Sequence, residues 1–119
     1  MARVVVTGAA GPLGSRVVGM LVGRGDVDEV VAVDVAGLAE VGGSAKVRTA
    51  QLDLATAELG DVVAGADAIV HLATVFGPLL EGPEIDRAVD VGMARRVLEA
   101  ADKAGVERLV LLSSATVYG

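Results

Sequence analysis

The chain lacks cysteine and tryptophan, and it has one histidine, one phenylalanine and one tyrosine among its 119 residues. Without cysteine there is no disulfide framework, no thiolate nucleophile and no zinc–thiolate site. A formal net charge of −6 argues against a nucleic-acid partner, because phosphate backbones are bound by Lys and Arg. No apolar segment reaches bilayer length and no signal-peptide pattern opens the chain, so the sequence predicts a cytoplasmic protein without membrane contact.

The chain does contain many small apolar residues. Hydrophobic residues make up 53% of the sequence, and most of them are Val, Ala and Leu. This composition is typical of helices packed on a Val-rich parallel sheet. The length predicts one domain, covering residues 1–119.

The most informative segment is an apolar run that leads into three glycines spaced three residues apart, Gly8, Gly11 and Gly14. Gly8 lets the chain leave a strand sharply, Gly11 removes a Cβ that would block a pyrophosphate, and Gly14 allows close packing of a helix. Pro12 suits the first helical turn, whose N–H groups then face the phosphates. The pattern predicts a dinucleotide site, with an ordinary glycine-rich connection as the alternative. A Walker-type loop is excluded because no Gly-Lys-Ser/Thr follows.

Asp34 ends the next apolar run, twenty residues after Gly14. This is the separation expected of a carboxylate that accepts a hydrogen bond from a ribose 2′-OH. Its charge would repel a 2′-phosphate, so NAD is favoured over NADP, although Arg24 could neutralise such a phosphate. A solvated carboxylate at a strand end remains the alternative. A flavin or other mononucleotide is disfavoured, because it would leave Asp34 without a role.

Strand-like and helix-like segments alternate along the chain. The predicted strands are residues 4–7, 30–34, 47–52, 68–72 and 108–113, and the predicted helices are residues 12–22, 59–63 and 83–104. Right-handed crossovers would build a doubly wound parallel sheet, the Rossmann fold, with strand order 3-2-1-4-5. Ligands then bind at the carboxyl ends of the strands, between the first and the fourth.

The chain resembles the N-terminal part of an extended short-chain dehydrogenase/reductase, in the NAD-dependent epimerase/dehydratase family. The resemblance rests on segments 7–14, 53–54, 71–73, 97–101 and 113–119, together with Asp34. It implies NAD as cofactor and a small-molecule substrate. The cofactor-binding residues that it implies are Gly8, Ala10, Gly11, Pro12, Leu13, Gly14, Asp34, Asp53, Leu54, Leu72 and Ala73. Asp53 would accept from the adenine amino group, Leu72 and Ala73 would lie along a cofactor ribose, and Ser114 would hydrogen-bond the reacting oxygen of the substrate.

Four polar residues in these segments also have structural interpretations. Asp53 could serve as the N-cap of the following helix. His71, the only histidine, is expected to be a packed side chain with one satisfied nitrogen and not a metal ligand, and no metal site is predicted. Ser113 and Ser114 could simply end their strand.

The sequence departs from the family pattern in two places. The family commonly has Asn-Val-x-Gly-Thr on the helix before residues 97–99, where this chain has Asp90 in place of Asn and Met93-Ala94 in place of Gly-Thr. This puts any proton-relay role of that Asn in doubt. The Tyr-x-x-x-Lys pair that transfers the proton in such enzymes is also absent, because the only tyrosine is Tyr118.

We therefore expect the NAD-binding half of a longer epimerase, dehydratase or dehydrogenase that acts on a nucleotide sugar or similar small molecule, with the sheet incomplete on its C-terminal side. A non-catalytic NAD-binding module and a 3-beta-hydroxysteroid dehydrogenase-like enzyme are the alternatives. The resemblance also suggests a homodimer through the helix near residues 83–104. The loop over residues 76–82 is expected to help shape the substrate pocket.

Overall fold

Five parallel strands form one sheet in the computed structural model, which describes residues 2–38, 41, 43–73 and 83–111. In chain order the elements are β1 (Ala2–Thr7), α1 (Pro12–Val22), β2 (Val27–Asp34), β3 (Val47–Gln51), α2 (Gly60–Val63), β4 (Ala68–His71), α3 (Pro83–Ala104) and β5 (Arg108–Leu111). The strand order β3-β2-β1-β4-β5 confirms the predicted doubly wound sheet. Among the described residues, no helix has the length and apolarity that crossing a membrane requires.

Alternating side chains of the strands bury two separate cores, one on each face of the sheet. Val4 and Val6 pack with Val18 of α1 on one face. Val5 and Ile69 pack with Val97 of α3 on the other face. Because successive strand residues point to opposite faces, the valine run in β1 serves both cores at once.

The helix boundaries of α1 and α3 agree with the prediction, whereas two strands begin earlier than predicted. β1 starts at Ala2 and β2 starts at Val27, and the two starts pair with each other. The early start of β2 includes Glu29, which lies beside Arg3 in the sheet with 3.5 Å between Arg3 Nε and Glu29 Oε1. The ion pair between neighbouring strands stabilises these two polar residues in the sheet. A search for apolar runs does not find such strand positions.

The other predicted boundaries need small corrections. β3 and β4 each end one residue before the predicted end, and the short helix α2 begins at Gly60 with Leu59 as its N-cap. The predicted last strand, residues 108–113, is described as far as Leu111, and its final two residues lie outside the described part of the chain.

Lys46, the residue before β3, holds the C-terminal end of α1. Lys46 Nζ donates hydrogen bonds to Val22 O at 3.2 Å and to Arg24 O at 3.1 Å. A cation at this position donates to Val22 O in the last turn of the helix and complements the negative end of its dipole. The contact fixes one end of α1, and its other end is fixed by the glycine turn.

At its N-terminal end, α1 begins against bare backbone. Gly14 is buried, and a Cβ added to it would lie 2.0 Å from Gly8 O and 2.7 Å from Gly8 C. This confirms the predicted reason for glycine at position 14, since any side chain would force the helix away from the turn. Gly19 of the same helix has open space around it, with no atom within 4 Å of an added Cβ.

The two helical glycines therefore form a matched pair for mutation. Gly14→Ala should lower the free energy of unfolding by about 1–3 kcal/mol or more, because its new methyl group overlaps a backbone oxygen. Gly19→Ala should raise it by up to about 1 kcal/mol, because alanine favours the helix and meets nothing. Urea unfolding followed by circular dichroism measures both, and similar changes in the two variants would contradict the close contact.

Candidate functional site

A cavity of about 430 Å³ lies at the carboxyl ends of β1, β2, β3 and β4. Its lining comes from the segments that follow these four strands and from one face of α3. The lining residues are Gly8, Ala10, Gly11, Asp34, Val35, Ala36, Leu52, Asp53, Leu54, Leu72, Ala73, Val89 and Met93. The cavity is therefore at the predicted position, beside the point where the sheet order reverses between β1 and β4.

Eight of the predicted cofactor residues line this cavity: Gly8, Ala10, Gly11, Asp34, Asp53, Leu54, Leu72 and Ala73. The other three belong to the first turn of α1 and are outside the lining. Pro12 and Leu13 are exposed there, and Gly14 is buried against Gly8.

The turn between β1 and α1 can be formed only by small residues. Gly8 has φ of +69°, and a Cβ added to it would lie 2.8 Å from Ala73 N. Gly11 is the N-cap of α1, and among the described residues no side chain caps that helix. Pro12 has no N–H, so it leaves no donor unsatisfied at the start of the helix. The other N–H groups of the first turn have no partner within the helix and are available to a ligand at the positive end of the helix dipole.

Asp34 joins the glycine turn to the end of β2. Its Oδ2 accepts from Ala10 N at 2.9 Å, and its Oδ1 accepts from Ala36 N at 3.1 Å. A carboxylate has about four acceptor sites, so each oxygen can still accept a further hydrogen bond from a ligand hydroxyl. The two backbone bonds hold the carboxylate in place at the edge of the cavity.

Arg24, the residue that could have neutralised a 2′-phosphate, lies at the opposite end of β2. Its Nε and Nη2 donate to the two carboxylate oxygens of Asp26, both at 2.9 Å. Asp26 immediately precedes β2 and Asp34 ends it, a separation of about 26 Å at roughly 3.3 Å per residue. The structure therefore places Arg24 far from the Asp34 carboxylate.

Asp53 closes a local turn, and it does not cap α2. Its Oδ1 accepts from Ala55 N at 2.9 Å, and its carbonyl accepts from the N–H groups of Thr56 and Ala57. Because α2 begins only at Gly60 and Leu59 is its N-cap, the N-cap interpretation of Asp53 was wrong. The exposed Asp53 side chain also borders the cavity, so capping leaves it accessible to a ligand.

A buried network connects the end of β1 to the segment after β4. Thr7 Oγ1 accepts from Leu72 N at 3.0 Å and from Ala73 N at 3.1 Å, and it lies 2.7 Å from His71 Nδ1. Because a hydroxyl accepts about two hydrogen bonds and donates one, this arrangement favours donation from Thr7 to Nδ1, which leaves the proton of neutral His71 on Nε2. His71 is thus the packed, singly satisfied histidine that the sequence predicted.

Burial of His71 lowers its pKa, and the nearby charge of Asp90 opposes that shift. Protonation at Nδ1 would place a third donor against an oxygen that already accepts two hydrogen bonds. The network therefore favours a neutral His71. Among the described residues, no group of three or more His, Asp or Glu side chains is arranged to hold a metal ion.

Several predicted features lie outside the described residues: Ser113, Ser114, Tyr118 and the loop over residues 76–82. Asp90, which replaces the family Asn, is half-buried on α3, and nothing in the structure tests the proton-relay role of that Asn. Gly92, two residues later, has no atom within 4 Å of an added Cβ, so close packing does not explain it.

Sequence reasoning missed five lining residues: Val35, Ala36, Leu52, Val89 and Met93. The last two could have been found, because residues 89, 93 and 97 recur at the four-residue spacing of one helix face. Thr7 was also missed as a contributor, since its contacts are to backbone atoms 65 and 66 residues away.

Comparison with known proteins agrees with this geometry. The model of the NAD dependent epimerase/dehydratase family matches residues 4–119. A dTDP-glucose 4,6-dehydratase from Streptomyces griseus is 37% identical over 129 aligned residues, which cover 98% of this chain and 39% of that protein.

Solved structures with NAD bound are similar to this chain in fold and sequence. A uronate dehydrogenase variant from Agrobacterium tumefaciens, complexed with NAD, is 32% identical with a TM-score of 0.77, covering 96% of this chain and 41% of that one. MoeE5 in complex with UDP-glucose and NAD is 34% identical with a TM-score of 0.76, covering 98% and 38%. The chain thus spans about two fifths of the length of the relatives it matches.

The Thr7–His71 network predicts a specific pH dependence of stability. The folded-state pKa of His71 lies below its unfolded value, so the unfolded chain takes up the proton first as the pH falls. The stabilisation is therefore present above about pH 6.5 and is lost as the pH falls through the folded-state pKa. In His71→Asn, the amide oxygen can still accept from Thr7 but does not titrate, so this step should disappear.

Urea unfolding midpoints measured from about pH 8 to pH 5 test this prediction. Groups other than His71 titrate in both proteins and cancel when the two curves are subtracted. A difference curve that stays flat below about pH 6.5 would show that His71 is not held neutral by this network.

Proposed function

Because the chain belongs to the NAD dependent epimerase/dehydratase family, we propose that it is the NAD-binding part of an enzyme that oxidises and reduces a carbon bearing a hydroxyl or keto group. The observation that carries this proposal is the anchored Asp34 carboxylate beside a glycine turn that no side chain of the described residues caps. The first supplies acceptors for a ribose diol and the second supplies donors for a pyrophosphate. The two lie side by side in one cavity.

The described residues fit a dinucleotide. A Cβ at Gly8 would overlap Ala73 N, so only glycine allows the turn to pack this closely on the segment after β4. Gly8, Ala10 and Gly11 therefore bring only small residues to the cavity lining. We assign Asp34 to the adenosine ribose, Asp53 and Leu54 to the adenine, and the Leu72–Ala73 backbone to the second ribose. Thr7 Oγ1 holds that backbone segment by accepting from Leu72 N and Ala73 N.

We infer a preference for NAD over NADP. A 2′-phosphate next to Asp34 would be repelled by about 4 kcal/mol for each pair of unit charges at 4 Å and an effective dielectric constant of about 20. The guanidinium of Arg24 is engaged by Asp26 at the far end of β2. Asp34 therefore acts both as an acceptor for the diol and as a barrier to the phosphate.

When bound, NAD would accept and return a hydride at its nicotinamide ring. This chain's residues bind and orient the cofactor, and we assign Ser114 to the reacting oxygen of the substrate. The Tyr-x-x-x-Lys pair of the family does not occur among the 119 residues. We propose a nucleotide sugar as substrate class, supported by the dTDP-glucose dehydratase and the UDP-glucose complex among the relatives.

Two further properties belong to the same proposal. We place the protein in the cytoplasm, in keeping with its lack of cysteine. We also propose that α3 contributes to a homodimer. Val91 and Leu98 are 52% and 46% exposed and lie seven residues apart, on one side of that helix.

Asp34→Arg tests the cofactor assignment. Calorimetric titration should give tighter binding of NAD than of NADP to the unmodified chain, and the reverse order for the variant, because the charge facing the 2′ position changes sign. Asp34→Asn keeps one acceptor oxygen without the charge, so it should lose most of the discrimination without reversing it.

Asp28→Arg is the matched control. It makes the same change of charge at an exposed position near the other end of β2, so it should leave the preference for NAD unaltered. Tighter binding of NADP than of NAD to the unmodified chain, or no heat with either dinucleotide on a folded sample, would overturn the proposed function.

A further inference from the structure

The connection between β3 and α2, which carries Asp53 and Leu54, is held by a side chain of α3. Arg96 Nε donates to Leu54 O at 2.8 Å, and Arg96 Nη2 donates to Ala57 O. Both bonds are charge-assisted, and the planar guanidinium presents its donors in a fixed fork. One half-buried side chain therefore ties two carbonyls, three residues apart, to the long helix.

Arg96 does not reach the cofactor cavity itself. It borders a different cavity of about 500 Å³ between α2 and α3, together with the charged residues Glu58, Glu99 and Lys103. Met93, which is three residues earlier on α3, lines the cofactor cavity. Any influence of Arg96 on a bound dinucleotide must therefore pass through the backbone that it holds.

The other hydrogen bonds of this connection attach it to β2 or close it on itself. Leu52 N donates to Asp34 O at 2.9 Å, which attaches the start of the connection to β2. The bonds that Asp53 makes to Ala55, Thr56 and Ala57 close the turn on itself, so they set its shape and not its position. The buried side chains of Leu54 and Leu59 pack in the same core as α3, and Arg96 adds the described hydrogen bonds that join the turn to that helix.

We propose that Arg96 is a positioning residue for the adenine end of the dinucleotide, acting by holding the Asp53–Leu54 segment in place. This inference rests on the proposed function, in which Asp53 accepts from the adenine amino group. Without the guanidinium fork, two carbonyls lose their donors and the turn can shift relative to Asp34. The adenine contact then weakens while the glycine turn and the Asp34 carboxylate remain.

The test compares two dinucleotides that differ only at the base. Nicotinamide hypoxanthine dinucleotide has an oxygen where NAD has the adenine amino group, so it cannot donate to Asp53. In calorimetric titration the unmodified chain should bind NAD more tightly than this analogue. Arg96→Gln should weaken NAD binding roughly tenfold and bring the ratio of the two affinities close to one.

Arg95→Gln is the matched control, since it removes the same charge from the neighbouring, exposed position of α3. It should retain both the affinity for NAD and the discrimination. Arg96→Lys should restore part of the discrimination, because an ammonium can donate to one or both carbonyls. A general loss of stability would weaken both ligands equally and leave their ratio unchanged, so an unchanged ratio in Arg96→Gln overturns the proposal.

Amide hydrogen exchange tests the clamp without any ligand, and so separates it from the proposed function. In Arg96→Gln the N–H groups of Ala55, Thr56 and Ala57 should exchange faster, whereas Arg95→Gln should not alter them. Failure of the unmodified chain to bind either dinucleotide, with this exchange pattern present, would refute the proposed function but not the clamp. Equal exchange in all three proteins would refute the clamp. If Arg96→Gln does not fold, Arg96→Lys replaces it in both measurements with a smaller expected effect in the same direction, and values equal to those of the unmodified chain then overturn the proposal.

Discussion

The start of α1 against bare backbone is the constraint on which the other features of the cavity depend. Gly14 lies so close to Gly8 O that an added Cβ would be 2.0 Å away, and Gly8 in turn leaves no room for a Cβ beside Ala73 N. Three pieces of chain therefore meet without side chains between them: the end of β1, the first turn of α1 and the segment after β4. This contact brings the helix N-terminus to the edge of the sheet, where its N–H groups can meet an anion.

Three polar side chains then connect the segments that the sheet ladder no longer holds. Thr7 joins β1 to the segment after β4, Asp34 joins β2 to the glycine turn, and Arg96 joins α3 to the connection after β3. Each one satisfies backbone groups where regular hydrogen bonding ends, as buried or partly buried backbone requires. The described segments around the cavity are thus tied to one another by the protein's own groups.

The fold was largely predictable because local patterns and tertiary packing agree. The apolar runs and the glycines gave the strand order and both boundaries of α1 and α3. The early start of β2 was missed because Glu29 looks unlike a strand residue until its partner Arg3 on β1 is known. The same difference separates the site residues that could be predicted from those that could not. Gly8 and Asp34 belong to a local motif, whereas Thr7 and Arg96 bind backbone atoms far away in sequence. Residue type alone gives no sign of such contacts.

Asp90, which stands where the family pattern has Asn, affects the pKa of His71. Desolvation is the larger influence and lowers the pKa of His71, while the charge of Asp90 acts in the opposite direction. A neutral Asn at position 90, as in the family pattern, would lack that opposing charge, and the pKa would lie lower still. Since Thr7 Oγ1 already accepts from two backbone N–H groups, a protonated His71 Nδ1 would be a third donor to the same oxygen. The charge of Asp90 thus acts against the burial and the hydrogen-bond network, which both favour neutral His71.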